Sequence, residues 1–216
     1  MKAKSNKGRS TEEIKTALAE SMADGFHPTL AVVFSSISQD LMGICDVMDA
    51  EGVSIFGCTT NGEFIDEQTE TGSWVMLLMD LNPDYFQIHL EEYPNKNFKE
   101  VAMGIASKAK ATFKKPAFII GTSHPAGDGE ESLRGFEEVI GKDVIAFGGG
   151  AGDDYAFTET YVFTNYKVSK NGMVCIAFDE EKVAVSGIAT CGWKAVGTEK
   201  TVTKSEGNHV FTIDNE

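Results

Sequence analysis

The segment Gly121-Thr-Ser-His-Pro-Ala-Gly-Asp-Gly-Glu-Glu131 holds the densest set of chemically capable side chains in the chain. Thr122, Ser123 and His124 supply hydroxyl and imidazole groups, and Asp128 stands just before a stretch with helical spacing. A helix starting there presents free N–H groups and about half a positive charge, which suits a carboxylate or phosphate. The same glycines and aspartate also suit a well-capped surface loop that binds nothing. Ser35-Ser-Ile-Ser38 is the corresponding segment nearer the N-terminus, running from an apolar stretch into a helix, with Ser38 also readable as a helix cap.

Two further segments follow apolar stretches, Gly57-Cys-Thr-Thr-Asn-Gly-Glu63 and Gly148-Gly-Gly-Ala-Gly-Asp-Asp154. In the first, Cys58, Thr59, Thr60 and Asn61 can line a polar site. In the second, Gly149 and Gly150 let a backbone approach a ligand closely, and Asp153 or Asp154 can receive an ammonium group. Tight turns or bulges between strands account for the same residues. The glycine run lacks the Gly-x-x-x-x-Gly-Lys-Ser/Thr spacing of a phosphate loop, and a strand, not a helix, is expected after it.

Catalytic chemistry is poorly served, and no catalytic or metal-binding residue is assigned. Ser123 and His124 are adjacent, but a triad is made by geometry and not by adjacency. Cys58 would be a nucleophile only beside a base, and at a strand end it more simply packs. The histidines at 27, 89, 124 and 209 and the cysteines at 45, 58, 175 and 191 form no His-x-x-x-His or Cys-x-x-Cys pair. Cys45 and Cys175 fall in apolar patterns and read as buried small hydrophobes.

These loops need strands and helices to position them, and the elements are expected to come twice. Pro28–Ser36 resembles Pro116–Ser123, Val53–Gly57 resembles Val144–Gly148, and Gly72–Asp80 resembles Gly172–Asp179, in the same order. The repeat would cover residues 10–92 and 97–190. A helix opens each half, after the capping pattern Ser10-Thr-Glu-Glu13 and after Asn97-Phe-Lys-Glu100. Strands at 29–34 and 117–121 are apolar without alternation, as expected of burial on both faces. A second helix follows each, with Leu41, Ile44, Cys45 and Met48 on one face in the first half, and Leu133, Phe136 and Ile140 in the second. Asp128 to Glu131 would cap the latter helix and Gly141 close it. Another buried strand then ends in a glycine turn at Gly57 or Gly148. Antiparallel strands at about 72–80, 85–92, 159–166, 172–179 and 182–190 complete the halves, with hairpin turns at Asn82-Pro83-Asp84 and Asp179-Glu180-Glu181. The expected fold class is α/β (mixed α+β): mixed sheets covered by helices, built from two similar halves, with residues 1–27 leading into a domain of 28–216.

Composition sets the outer limits. The chain has 216 residues, 42% hydrophobic and 24% charged, enough for a core without disulfide or metal staples. A net charge of −14 disfavours nucleic acid and anionic membrane surfaces as partners. The run Trp74–Met79 is far short of the ~20 apolar residues that a membrane span requires. Basic residues near the N-terminus lead into polar ones, not into the apolar core of a signal peptide, so a cytoplasmic location is expected.

Taken together, Phe56-Gly-Cys-Thr-Thr-Asn-Gly-Glu63, Gly121-Thr-Ser-His-Pro-Ala-Gly-Asp-Gly-Glu130, Phe147-Gly-Gly-Gly-Ala-Gly-Asp153 and Gly192-Trp-Lys194 resemble the N-terminal part of the FIST sensory domain. The resemblance spans about residues 28 to 212 and implies a sensory input module in intracellular signalling, not an enzyme. It implies a small ligand such as an amino acid, and partners such as histidine kinases, chemotaxis receptors or diguanylate cyclases. It also implies, as an alternative, a haem-binding nitric-oxide sensor in which His124 would be the axial ligand; otherwise no cofactor is expected. In that family a C-terminal FIST portion follows, and it is expected to be absent here. The resemblance transfers no binding motif, so the candidate residues rest on the loops above. A zwitterionic ligand would place its carboxylate at the helix starts near 38 and 129 and its ammonium on Asp153 or Asp154. A hydrolase or transferase using Cys58 or the Ser123–His124 loop is the rival reading.

Overall fold

The computed structural model describes residues 1–66, 68–93, 95, 97–123, 128–188, 192–207 and 209–216. Its first elements are β1 (Lys2–Gly8), α1 (Thr11–Met22), β2 (Leu30–Ser35), α2 (Leu41–Ala50), β3 (Ser54–Thr59), β4 (Glu63–Ile65), β5 (Gln68–Glu70) and β6 (Trp74–Asp80). Then come β7 (Phe86–Glu92), α3 (Phe98–Thr112), β8 (Pro116–Ser123), α4 (Gly129–Ile140), β9 (Ala146–Gly150), β10 (Val162–Thr164), β11 (Lys167–Ser169), β12 (Gly172–Asp179), β13 (Val202–Glu206) and β14 (His209–Ile213). The helices start where the sequence signals a cap. Ser10, Asn97 and Asp128 accept from the N–H groups of Glu13, Glu100 and Glu131, and Gly141 ends α4 at φ 121°. The Glu13 carboxylate reaches back to the Arg9 N–H at 2.8 Å, closing the first cap.

The fold is mixed α+β, with four layers. One sheet has the order β1-β6-β2-β3-β10-β11 and the other β7-β12-β8-β9. β2 pairs parallel with β3 and antiparallel with β6, while β8 pairs parallel with β9 and antiparallel with β12. The orders β1-β6-β2-β3 and β7-β12-β8-β9 are therefore built from elements in the same chain sequence. Side chains alternate across each strand to serve two cores. Ala31 and Val33 face Ile14, Leu18, Ile44 and Met48 of α1 and α2, whereas Leu30, Phe56 and Cys58 face Val174, Ile176 and Phe178 of the opposite sheet. On the far side Phe118, Met173 and Cys175 meet Ile105, Ala106 and Phe136 of α3 and α4. Strands buried on both faces read as continuous apolar runs, as expected for β2 and β8.

Several local expectations are corrected. Strand 85–92 does not close the first sheet: β7 pairs with β12, so Pro83–Tyr85 forms a 3₁₀ turn that crosses between layers, not a hairpin turn. The N-terminal Lys2–Gly8, expected as a plain lead-in, takes the edge beside β6. Gly57 and Gly148 lie inside β3 and β9 and end neither strand. β9 is not buried; it is an edge strand whose glycines offer no side chains to cover it. On α4 the buried face runs through Ser132, Gly135 and Phe136, which leaves Leu133 42% exposed. Residues 182–188 form no strand, and 189 and 190 lie outside the described residues. A turn does follow Asp179, through Lys182 N and Val183 N to the Asp179 carbonyl, but no hairpin partner strand succeeds it. β13 and β14 pair with each other, an arrangement the apolar pattern did not signal. Among the described residues no helix is long and apolar enough to cross a membrane.

Candidate functional site

The parallel pair β2–β3 delivers the ends of both strands to one rim of the first sheet. Thr60 N donates to the Ser35 carbonyl at 3.0 Å, and Ser36 N donates to the Ser73 carbonyl at 2.8 Å, so the ladder continues into both loops. In open α/β sheets ligands bind outside such carboxyl ends. The chain that leaves β9 crosses to this rim. Gly152 N donates to the Thr59 carbonyl at 2.8 Å and Asp154 N to the Thr60 carbonyl at 3.0 Å. The Asn61 side-chain oxygen accepts from Asp153 N at 2.9 Å and Tyr155 N at 3.2 Å. A Cβ at Gly152 would lie 2.5 Å from that oxygen, so this close approach requires glycine. The loops after β3 and β9 are thus one unit.

Three carboxylates sit in this unit, those of Glu63, Asp153 and Asp154. Glu63 is 1% exposed and accepts from Thr60 Oγ1 at 2.7 Å, Ser73 Oγ at 2.8 Å and Ser73 N at 3.2 Å. Its needs are met locally, and it fastens the loop to the start of β6. Asp154 is different. Its Oδ2 accepts from Ser36 Oγ at 2.6 Å, but its buried Oδ1 has no hydrogen-bond partner among the described residues. Ser36 is held in turn by Ser38 N at 3.1 Å and Ser38 Oγ at 2.7 Å. Asp154, Tyr155 and Phe157 all have positive φ, 55°, 61° and 55°. Such conformations cost about 1–3 kcal/mol each and persist where the surroundings enforce them.

Beside the rim lies a cavity of about 480 Å³, lined by Val32, Phe34, Val75 and Leu77 of the sheet, by Phe64 and Ile65 of β4, and by Thr60, Glu63 and Asp66.

The FIST N domain model matches residues 29–216. The chain belongs to the FIST N domain family. No curated protein matches it. FIST domains are sensory rather than catalytic and occur in signalling proteins. The match starts just before β2, so β1 and α1 precede the matched FIST segment although β1 completes its first sheet.

The structure sorts the residues that the sequence proposed for this FIST domain. Thr60, Asn61, Asp153 and Asp154 meet at the rim. Thr59 is buried there, but its hydroxyl is used on the Tyr161 main chain, accepting at 2.9 Å and donating at 3.3 Å. Asp153 is also spent locally, accepting from Thr158 N at 2.6 Å. Ser123 is fully buried, donating to the Ser169 carbonyl at 2.9 Å and accepting from Gly172 N at 3.2 Å, so it ties the end of β8 to the turn between β11 and β12. Thr122 and Gly150 are register partners on β8 and β9, and Gly149 and Gly150 are exposed. Asp128 is consumed as the α4 cap. His124 lies outside the described residues.

Cys58 is packed between the sheets, where a Cβ at Gly121 would meet its Sγ. Burial pushes its thiol up to about 12, so it is neutral at pH 7 and a poor nucleophile. Sequence reasoning passed over Ser36 and Glu63. Ser36 stood in a loop read as a cap for α2, but the cap is Asp40, which accepts from Gly43 N at 3.0 Å. The Thr60–Glu63 spacing was the available signal for a locked turn.

Among the described residues no histidine lines the cavity, and the charged groups there are the acids Glu63 and Asp66, which do not suit a porphyrin's propionates; His124, the axial ligand expected under the haem reading, lies outside the described residues. Among the described residues no three His, Cys, Asp or Glu side chains converge as a metal site would need.

Proposed function

We propose that this FIST N domain is a non-catalytic input module that binds a small ligand through its ammonium group, an amino acid or a similar amine. The observation that carries the reading is the Asp154 carboxylate, placed at the carboxyl ends of β2 and β3 with one buried oxygen unpartnered. An ammonium donor there would satisfy an acceptor that burial otherwise penalises. The ligand's carboxylate has no equivalent receptor at the helix starts. α2 is capped by Asp40, and α4 by Asp128 with Glu130 and Glu131 in its first turn. Those N-termini already hold negative charge, so the amine is the anchor. Ligand binding would signal by favouring one arrangement of the joined loops 59–63 and 151–158 over another. The natural receivers would be signalling proteins of the cytoplasm, such as histidine kinases, chemoreceptors or diguanylate cyclases.

The test is calorimetry of the chain against the twenty amino acids and simple amines, with Asp154→Asn beside the unchanged protein. The expected result is a loss of affinity of at least tenfold with the melting temperature preserved. Equal affinity in Asp154→Asn would remove Asp154 as the anchor.

A further inference from the structure

We propose that the cavity beside the rim receives the apolar part of that ligand, so the domain selects alkyl or aromatic amines over small polar ones. The inference rests on Asp154 as the amine anchor and names the class of group attached to it.

Three observations converge. The inner face of the first sheet is covered by the second sheet at Leu30, Phe56 and Cys58, yet further along the same face Phe34 and Leu77 are each 39% exposed. Large apolar side chains left open side by side in a sheet interior mark a place for another apolar surface. The β4–β5 hairpin lies beside this place and lends it Phe64 and Ile65 as one side of an open cleft of about 480 Å³, within the range of about 300–1,000 Å³ typical of small-molecule sites. The cavity and the anchor also share a residue: Thr60 lines the cavity, and its carbonyl accepts from Asp154 N at 3.0 Å. Asp154 is not itself in the lining, so Thr60 is the link by which a ligand with its ammonium at Asp154 would direct its apolar part to the cavity. Charge selects among apolar ligands. Among the described residues the lining carries the acids Glu63, which is buried, and Asp66, with no lysine or arginine, so its charge favours an amine over a fatty acid.

The experiment is a titration of the full chain with ethylamine, n-hexylamine, 2-phenylethylamine and hexanoate, followed by calorimetry and thermal shift, in the unchanged protein and in Phe64→Ala, Phe34→Ala and Asp154→Asn. Each buried methylene strengthens binding about fourfold before ordering costs. Hexylamine and phenylethylamine should bind at least tenfold more tightly than ethylamine, and hexanoate should not compete. Phe64 is 78% exposed, so its removal should spare the fold while cutting the chain-length preference below threefold. Equal affinity for ethylamine and hexylamine, with Asp154→Asn still weakening both, would overturn the cavity and leave the anchor standing. A chain-length preference lost in Phe64→Ala but unaffected by Asp154→Asn would overturn the anchor instead. Tight binding of hexanoate, or a dimer in light scattering that Phe64→Ala dissociates without changing amine preference, would show the surface has another occupant. No response to any amine would overturn both.

Discussion

The carboxyl ends of the parallel pairs β2–β3 and β8–β9 occupy the same place in the two sheets, and they are used in opposite ways. At β8–β9, among the described residues, Ser123 is tied to the Ser169 and Gly172 main chain and Asp128 caps α4, while the glycines of β9 present only backbone. At β2–β3 the side chains of Ser36, Thr60 and Glu63 form a connected polar rim, and the loop after β9 reaches over to add Asp154. The second sheet thus contributes its acid to the first sheet's rim instead of building a site of its own. What separates the two ends is not how many polar residues each has. It is what they are spent on: among the described residues Ser123 and Asp128 bond to the fold, whereas Asp154 at the first rim keeps Oδ1 unpaired.

The largest expected effect concerns the material between the two ends. Cys58 joins the sheets, and its folded-state thiol is raised from the ordinary 9.0 to about 12 by burial. The folded chain therefore holds this proton more tightly than the unfolded chain. The corresponding stability is intact below pH 9 and is lost as pH rises from there toward 12. Within that window one thiol contributes a slope of about 1.4 kcal/mol per pH unit. Urea unfolding at intervals above pH 9 should show the slope decreasing by about that amount in Cys58→Ala. An unchanged slope would mean that the thiol is not sealed between the sheets.

Glu63→Ala comes next. It strands the Ser73 N–H and two hydroxyls at the first rim and should cost about 3 kcal/mol. For a domain of this size that is about 6–12 °C of melting temperature. A drop below about 2 °C would show that the Glu63 network is not what holds the loop. Ser123→Ala tests the opposite end. It should cost about 1–2 kcal/mol by the same reasoning and leave ligand binding untouched. Reduced binding there would erase the distinction between the ends. The smallest stability effect is expected at Asp154→Asn, within about 0.5 kcal/mol of the unchanged protein or slightly stabilising, since the buried Oδ1 has no hydrogen bond to lose. A loss as large as that of Glu63→Ala would make Asp154 a structural residue.

Much of the fold was legible because local chemistry and tertiary need coincide. The caps at Ser10, Asn97 and Asp128, the two-faced strands β2 and β8 and the apolar stripe of α2 all follow from residue types at fixed spacing. Strand partnership was less legible. β7 joins β12 through a main-chain ladder that any apolar strand could make, and β1 carries too few apolar residues to announce itself. At the site, residue type located the loops but not their use. Asp153 and Asp154 are neighbours of identical chemistry, and only the path of the backbone decides that one binds Thr158 N while the other meets Ser36 and keeps an oxygen unpaired. Ser123 and Ser36 likewise differ only in what crosses them.

The most direct measurement is the map of backbone amide shifts in ¹H–¹⁵N spectra on adding 2-phenylethylamine. The prediction is that perturbations concentrate at residues 36–38, 60–66 and 152–157, with 122, 123, 149 and 150 unmoved. Perturbations centred on the β8–β9 end, or none at saturating ligand, would contradict the account that the first sheet's rim is the ligand site.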